Sequence, residues 1–243
     1  MAKRGAAGIA RDFQSGVQAV LRPLKDAERA AGARAYMRGQ FDYLGIGTPE
    51  RRAAIAPLIR AFRPASSEEL RGTAESLWAM REREYQYVAA DLLARYQSVL
   101  SLDDLPWLLD LAQEKSWWDT VDCIVKVVGK IVRRSGAKGQ REMDRGIRDK
   151  NFWIRRIAML HQLGWRGDTD TERLFRDAEL LASEKEFFIR KAVGWALRDY
   201  AWHDWWAVEK FLKSTSAPLS GLTIREASKN FAVLKQRGKA GRA

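Results

Sequence analysis

Trp118 and Asp122 stand four residues apart in Lys115-Ser-Trp-Trp-Asp-Thr-Val-Asp122, so a helix would carry both on one face, with Val125 next along it. A carboxylate on a face that carries Trp and Val is costly if the face is buried and the acid unpaired. Two arrangements remove the cost. The acid can pair with a neighbouring helix through Arg155 or Arg156, or it can stand in a site that uses its negative charge. A second stripe bears on the choice. Lys191, Trp195 and Arg198 fall at i, i+4 and i+7, an aromatic between two cations on one helical face, and Arg155 and Arg156 stand at the equivalent level one period earlier. Brought to one side of the molecule, these segments form a basic surface with Trp rings around one carboxylate. Lys and Arg would hold phosphates there, and the aromatics would pack against sugar or base. The alternative is a core aromatic stripe whose cations reach out to water, and for Trp153 that reading is preferred.

The elements that must position these residues come in a period. Lys115-Ser-Trp-Trp, Lys150-Asn-Phe-Trp and Lys185-Glu-Phe-Phe begin 35 residues apart, and Ile154-Arg155, Ile189-Arg190 and Ile224-Arg225 keep the same step. In this register Asp122 aligns with Ile157 and Ala192, both apolar. Repeats of this length are helix pairs that bury their apolar faces only by stacking. Helical apolar spacing runs through 116–134, 151–164, 170–182 and 185–202, and Glu82 to Tyr96 reads as a degenerate copy. Thr48 before Pro49 and Glu50, Ser66 before Glu68 and Glu69, and Ser101 before two aspartates open further helices. No strand alternation stands out. The expected fold is all-α, a single α-α superhelix of HEAT-like repeats over residues 9–234, with a flexible N-terminus at 1–8 and a basic flexible tail at 235–243.

Composition narrows the partners. The chain of 243 residues carries 43 Lys and Arg against 31 Asp and Glu, a formal charge of +12, with ten Trp among the cations; this favours nucleic acid over a solvated basic face. Cys123 is the single cysteine, which excludes an internal disulfide and fits a reducing, cytosolic setting. The opening MAKRGAAGIARDF lacks the apolar stretch of a signal peptide, and lysines interrupt IVKVVGKIV, so no membrane span is expected. His161 and His203 are the only histidines and there is no CxxC or HExxH, which argues against a zinc site. Gly136-Ala-Lys-Gly139 lacks the spacing of a nucleotide-phosphate loop. Gly45-Ile-Gly47 reads as a turn, although free amides at the Thr48 helix start could hold a phosphate.

Lys115-Ser-Trp-Trp-Asp-Thr-Val-Asp122, together with Lys185-Glu-Phe-Phe-Ile-Arg-Lys-Ala-Val-Gly-Trp195-Ala-Leu-Arg-Asp-Tyr200, resembles the AlkD-type DNA alkylation repair glycosylases. Ala35-Tyr36-Met37 and Tyr43-Leu-Gly-Ile-Gly-Thr-Pro-Glu-Arg-Arg52 are similar to that family as well, so the resemblance spans nearly the whole chain. It implies a monofunctional enzyme of base excision repair that releases N3- and N7-alkylated purines, such as 3-methyladenine and 7-methylguanine, from double-stranded DNA without metal or cofactor. Residue by residue, the family's catalytic aspartate falls on Asp122 and its backbone-packing tryptophans on Trp118 and Trp195. Its active-site arginine, expected to hold a phosphate beside the lesion, falls on Arg156, and its cleft tyrosine on Tyr36. Arg155, Lys191 and Arg198 would supply further backbone contacts. The family is held not to flip the base out of the helix. A monomer is the default expectation. The competing reading is a non-catalytic HEAT-repeat module that binds nucleic acid or scaffolds proteins, to which an acid among phosphate-facing cations would be of no use.

Overall fold

A computed structural model describes residues 5–240, and among them helices are the only regular elements, with one isolated bridge between Asp42 and Glu82 in place of any strand. Twelve α-helices follow in order: α1 (Ala6–Leu21), α2 (Ala27–Tyr36), α3 (Thr48–Ala61), α4 (Ser67–Trp78), α5 (Arg83–Tyr96), α6 (Leu105–Gln113), α7 (Trp118–Gly146), α8 (Phe152–Leu160), α9 (Thr171–Leu180), α10 (Phe187–Ser214), α11 (Gly221–Ser228) and α12 (Phe231–Ala240). Of the ends expected to lie outside the repeats, residues 1–4 and 241–243 fall outside the described residues. Ala6–Gly8 instead open α1, and 235–240 belong to α12. None of these helices is long and apolar enough to cross a membrane.

The period is visible in the helices. α5, α7, α8, α10 and α11 begin at residues 83, 118, 152, 187 and 221, steps of 35, 34, 35 and 34. The two longest helices are each two helices joined at a break. Gly136 interrupts α7 with φ +54°, a conformation that costs glycine little because it has no Cβ. Asp204 interrupts α10 in an extended conformation, and its carboxylate accepts from the Ala207 amide and caps the second half. The breaks divide α7 into 118–135 and 137–146 and α10 into 187–203 and 205–214.

The chain divides into two compact units, Met1–Leu111 and Ala112–Ala243. In the first, α1 turns Ala10, Phe13, Val17 and Leu21 inward against α3 and α4, a stripe with the spacing of a one-sided buried helix. Ser66 caps α4 through the Glu69 amide, and Ser101 and Asp104 form a capping box before α6. At α3 the cap is Gly47 rather than Thr48, which is already the first helical residue. The amides of the Gly45 turn are taken as well. Glu84, buried at the start of α5, accepts from the amides of Leu44 at 2.9 Å, Gly45 at 2.8 Å and Ile46 at 3.2 Å. The amides that Glu84 takes precede the Thr48 helix start and are not the ones at which a phosphate could be held. Only glycine fits at 45: its φ is +85°, and a Cβ would lie 2.1 Å from the Asp26 carbonyl oxygen.

In the second unit α8 packs against both α7 and α10, and α10 against both α8 and α11. Gly129 of α7 lets the two helices approach closely, since a Cβ there would meet the His161 carbonyl oxygen at 2.2 Å. The His161 ring is buried beside that contact, with Nδ1 2.5 Å from the Ala158 carbonyl oxygen and Nε2 3.0 Å from the Gln140 side-chain oxygen Oε1. Polar links also join residues one period apart: the Gly164 amide donates to Asp199 at 2.7 Å, and Arg133 pairs with Asp168.

Two outcomes follow from these contacts. Glu84→Ala strands three buried amides and lowers the unfolding free energy by about 2–4 kcal/mol, with Glu84→Gln losing less because one acceptor oxygen remains; urea denaturation reads both. Burial lowers the His161 pKa from 6.5 to about 4. A depressed folded-state value means that the stabilisation is complete above pH 6.5 and is lost as pH falls toward 4, by about 3 kcal/mol in all. Denaturation across that window should show this slope in the native protein and lack it in His161→Gln.

Candidate active site

α7 begins in a tight turn in which Lys115 has φ +50°, and Trp117 leads into the helix with extended backbone. The aromatic pairs that carry the period lock the helix starts together. Trp117 meets Trp153 edge-on at 6.1 Å and Phe188 at 5.3 Å, while Trp153 and Phe188 are 4.9 Å apart. Such contacts are worth about 0.5–1.5 kcal/mol each beyond the area they bury. Trp153 is buried, as the core reading of that residue expects. Trp118, its counterpart one period earlier, remains half-buried.

One turn beyond Trp118, Asp122 meets Arg156 of α8 in a two-point pair: Nε donates to Oδ1 and Nη2 to Oδ2, both at 2.8 Å. The third arm of the guanidinium, Nη1, donates to the Phe188 carbonyl oxygen at 2.6 Å, at the start of α10. Trp195 completes the group, its ring centre 5.9 Å from the guanidinium carbon. This parallel geometry fixes the plane of the carboxylate as well as its position. The Asp122 side chain keeps 17% of its exposure against 5% for Arg156, so the acid lies at the surface of the group and the arginine beneath it. Burial raises the Asp122 pKa above its ordinary value, the hydrogen bonds and charge of Arg156 oppose the shift, and Asp119 adds to it. Two hydrogen bonds leave about two of the four acceptor positions of a carboxylate open.

Of the arrangements open to Asp122 in the sequence, the pair with Arg156 forms: this arginine, which the family resemblance puts on a phosphate, is buried and spends its donors on Asp122 and the Phe188 carbonyl. Arg155 pairs with Glu184 at 2.8 Å and donates to the carbonyl oxygens of Asp149 and Lys150. Lys191 and Arg198 both pair with Glu226 of α11. Glu226 had no place in the sequence reading, yet the register contains it: steps of 35 from Val121 pass through Arg156 and Lys191 to Glu226. Gly194 admits it, since a Cβ at 194 would lie 2.5 Å from the Glu226 Cβ.

Asp122, Arg156 and Trp195 are thus brought together in the second unit, with Trp118 on the preceding turn of α7. Tyr36 belongs to the first unit. It ends α2, is 74% exposed, and borders a cleft of about 250 Å³ shared with Arg29, Met37, Arg51 and Tyr87.

Residues 17–231 match the family described as DNA alkylation repair enzyme. A solved structure described as "Predicted DNA alkylation repair enzyme from Enterococcus faecalis" is 35% identical, with a TM-score of 0.78 over 84% of this chain and 95% of that one. The Pseudomonas fluorescens alkylpurine DNA glycosylase AlkC, bound to DNA containing an abasic site analog, aligns at 13% identity with a TM-score of 0.43, over 95% of this chain and 66% of its own. No curated protein matches. The match over residues 17–231 and the 35% identity to the Enterococcus protein lead to one conclusion: this chain belongs to the DNA alkylation repair enzyme family.

Proposed function

We propose that this protein is a DNA glycosylase that hydrolyses the N-glycosidic bond of positively charged N3- and N7-alkylated purines in duplex DNA, acting as a monomeric array of HEAT-like helix pairs. The observation that carries this reading is Asp122, a half-buried carboxylate clamped by Arg156 and flanked by Trp118 and Trp195 in a chain of this family. Helix starts every 34 or 35 residues, with α8 packed between α7 and α10, support the repeat architecture.

An alkylated purine that already carries a positive charge departs as a neutral base, so the leaving group needs little help from an acid. The demanding charge is on the deoxyribose, which becomes oxocarbenium-like. A fixed carboxylate stabilises that charge and orients the attacking water. Burial makes Asp122 more basic than a free aspartate, which suits it to accept a proton from that water. Arg156 is a positioning residue in this scheme: it holds the carboxylate rigid and leaves its remaining acceptor positions outward. Trp118 and Trp195 offer π faces to the cationic sugar and base, each worth about 0.5–2 kcal/mol. Tyr36 is assigned to the DNA-binding surface on its exposure and on the family resemblance.

The decisive assay measures release of 7-methylguanine and 3-methyladenine from methylated duplex. Asp122→Asn should cut release by about 10²–10³-fold and still bind the duplex; wild-type excision by this variant would sink the assignment. Arg156 separates a clamp from a phosphate ligand. As a clamp, Arg156→Ala slows excision roughly 10–100-fold with the salt dependence of binding unchanged. A slope lower by about 0.9 would mean instead that the arginine holds a phosphate.

A further inference from the structure

The cations first expected to meet DNA are engaged within the protein, yet α7 carries others. Lys126 and Lys130 lie one and two turns beyond Asp122, about 6 and 12 Å along the helix axis. Both are exposed, and among the described residues neither makes an ion pair or hydrogen bond. Around α7, Val121, Ile124, Val125, Val128 and Val132 are buried, while Lys126, Lys130, Arg133 and Arg134 face outward. Asp122 stands where the packed side ends and the open arc begins, and the arc leads from it through Lys126 to Lys130.

The repeat register makes this arc unusual. One period on from Asp122, Lys126 and Lys130 stand Ile157, His161 and Trp165; a further period on stand Ala192, Ala196 and Tyr200. All six are buried except Trp165, which is half-buried. α10 therefore covers all three positions, and α8 covers the first, with buried His161 and half-buried Trp165 following its end; α7 leaves the same positions open with one acid followed by two unpaired lysines. An exposed lysine by itself is only a solvated charge. Two in line with the carboxylate, on the one helix whose equivalents are packed over, form a track.

We propose that Lys126 and Lys130 hold consecutive phosphates of the DNA strand that passes Asp122, and so set the register of the duplex against the carboxylate. This rests on the glycosylase reading above. The test is binding of an unmodified duplex to the full chain between 50 and 200 mM salt, followed by fluorescence anisotropy. The double variant Lys126→Ala/Lys130→Ala should lower the slope of log affinity against log salt by about 1.8, close to 0.9 for each lost phosphate contact. Arginine at both positions should restore it. Alanine at exposed helical positions keeps the fold, which circular dichroism of the same samples verifies. Wild-type binding with an unchanged slope in the alanine variant overturns the track and leaves the glycosylase reading standing. A wild-type chain that binds no duplex overturns both.

Discussion

Two parallel hydrogen bonds between Asp122 and Arg156 tie α7 to α8, and much of the second unit is arranged around them. The guanidinium is buried because Trp195 and the Phe188 carbonyl close over it. The carboxylate is only partly buried because α7 ends its packed side at that residue. An ion pair that is open on one side differs from a wholly internal one. Its desolvation cost falls mainly on the arginine, while the acid keeps access to whatever approaches from outside. The aromatic contacts among Trp117, Trp153 and Phe188 hold the three helix starts at the spacing the pair requires.

Much of this was legible in the sequence because repetition converts position into environment. The step of 35 aligned Asp122 with Ile157 and Ala192, and both proved fully buried, so an acid at that register point was correctly read as out of place. Helix starts also followed from local chemistry at Ser66 and Ser101. What the sequence did not disclose was direction. Lys and Arg are long enough to turn either to solvent or to a neighbouring acid, and helical spacing alone does not choose between them. Arg155, Lys191 and Arg198 shared faces as expected but turned to Glu184 and Glu226, acids that lie 28 to 35 residues away in the chain. Reading the register for opposite charges at one step, as well as for repeated types, would have found Glu226.

A fixed anion also closes the Gly45 turn, where Glu84 of α5 takes the amides of Leu44, Gly45 and Ile46 just before the Thr48 helix start. In both units a cluster of donors is filled by a carboxylate of the chain itself, and a tethered ligand does not lose the translational freedom that a free one must give up. Gly136 and Asp204 fall just past the segments of helical apolar spacing, 116–134 and 185–202, so periodicity located the end of each first stretch of helix but not the helix that resumes beyond the break.

Gly194 has a consequence that reaches beyond packing. Its missing side chain is what lets α11 come close enough for Glu226 to pair with both Lys191 and Arg198. A single methyl group at 194 would wedge the two helices apart and draw that one negative charge from between two positive ones without altering any charged residue. The surface potential of this family member is therefore tuned by backbone spacing as much as by the count of ionic side chains. Two relatives with the same number of lysines and arginines could differ in their grip on a polyanion through one hydrogen atom.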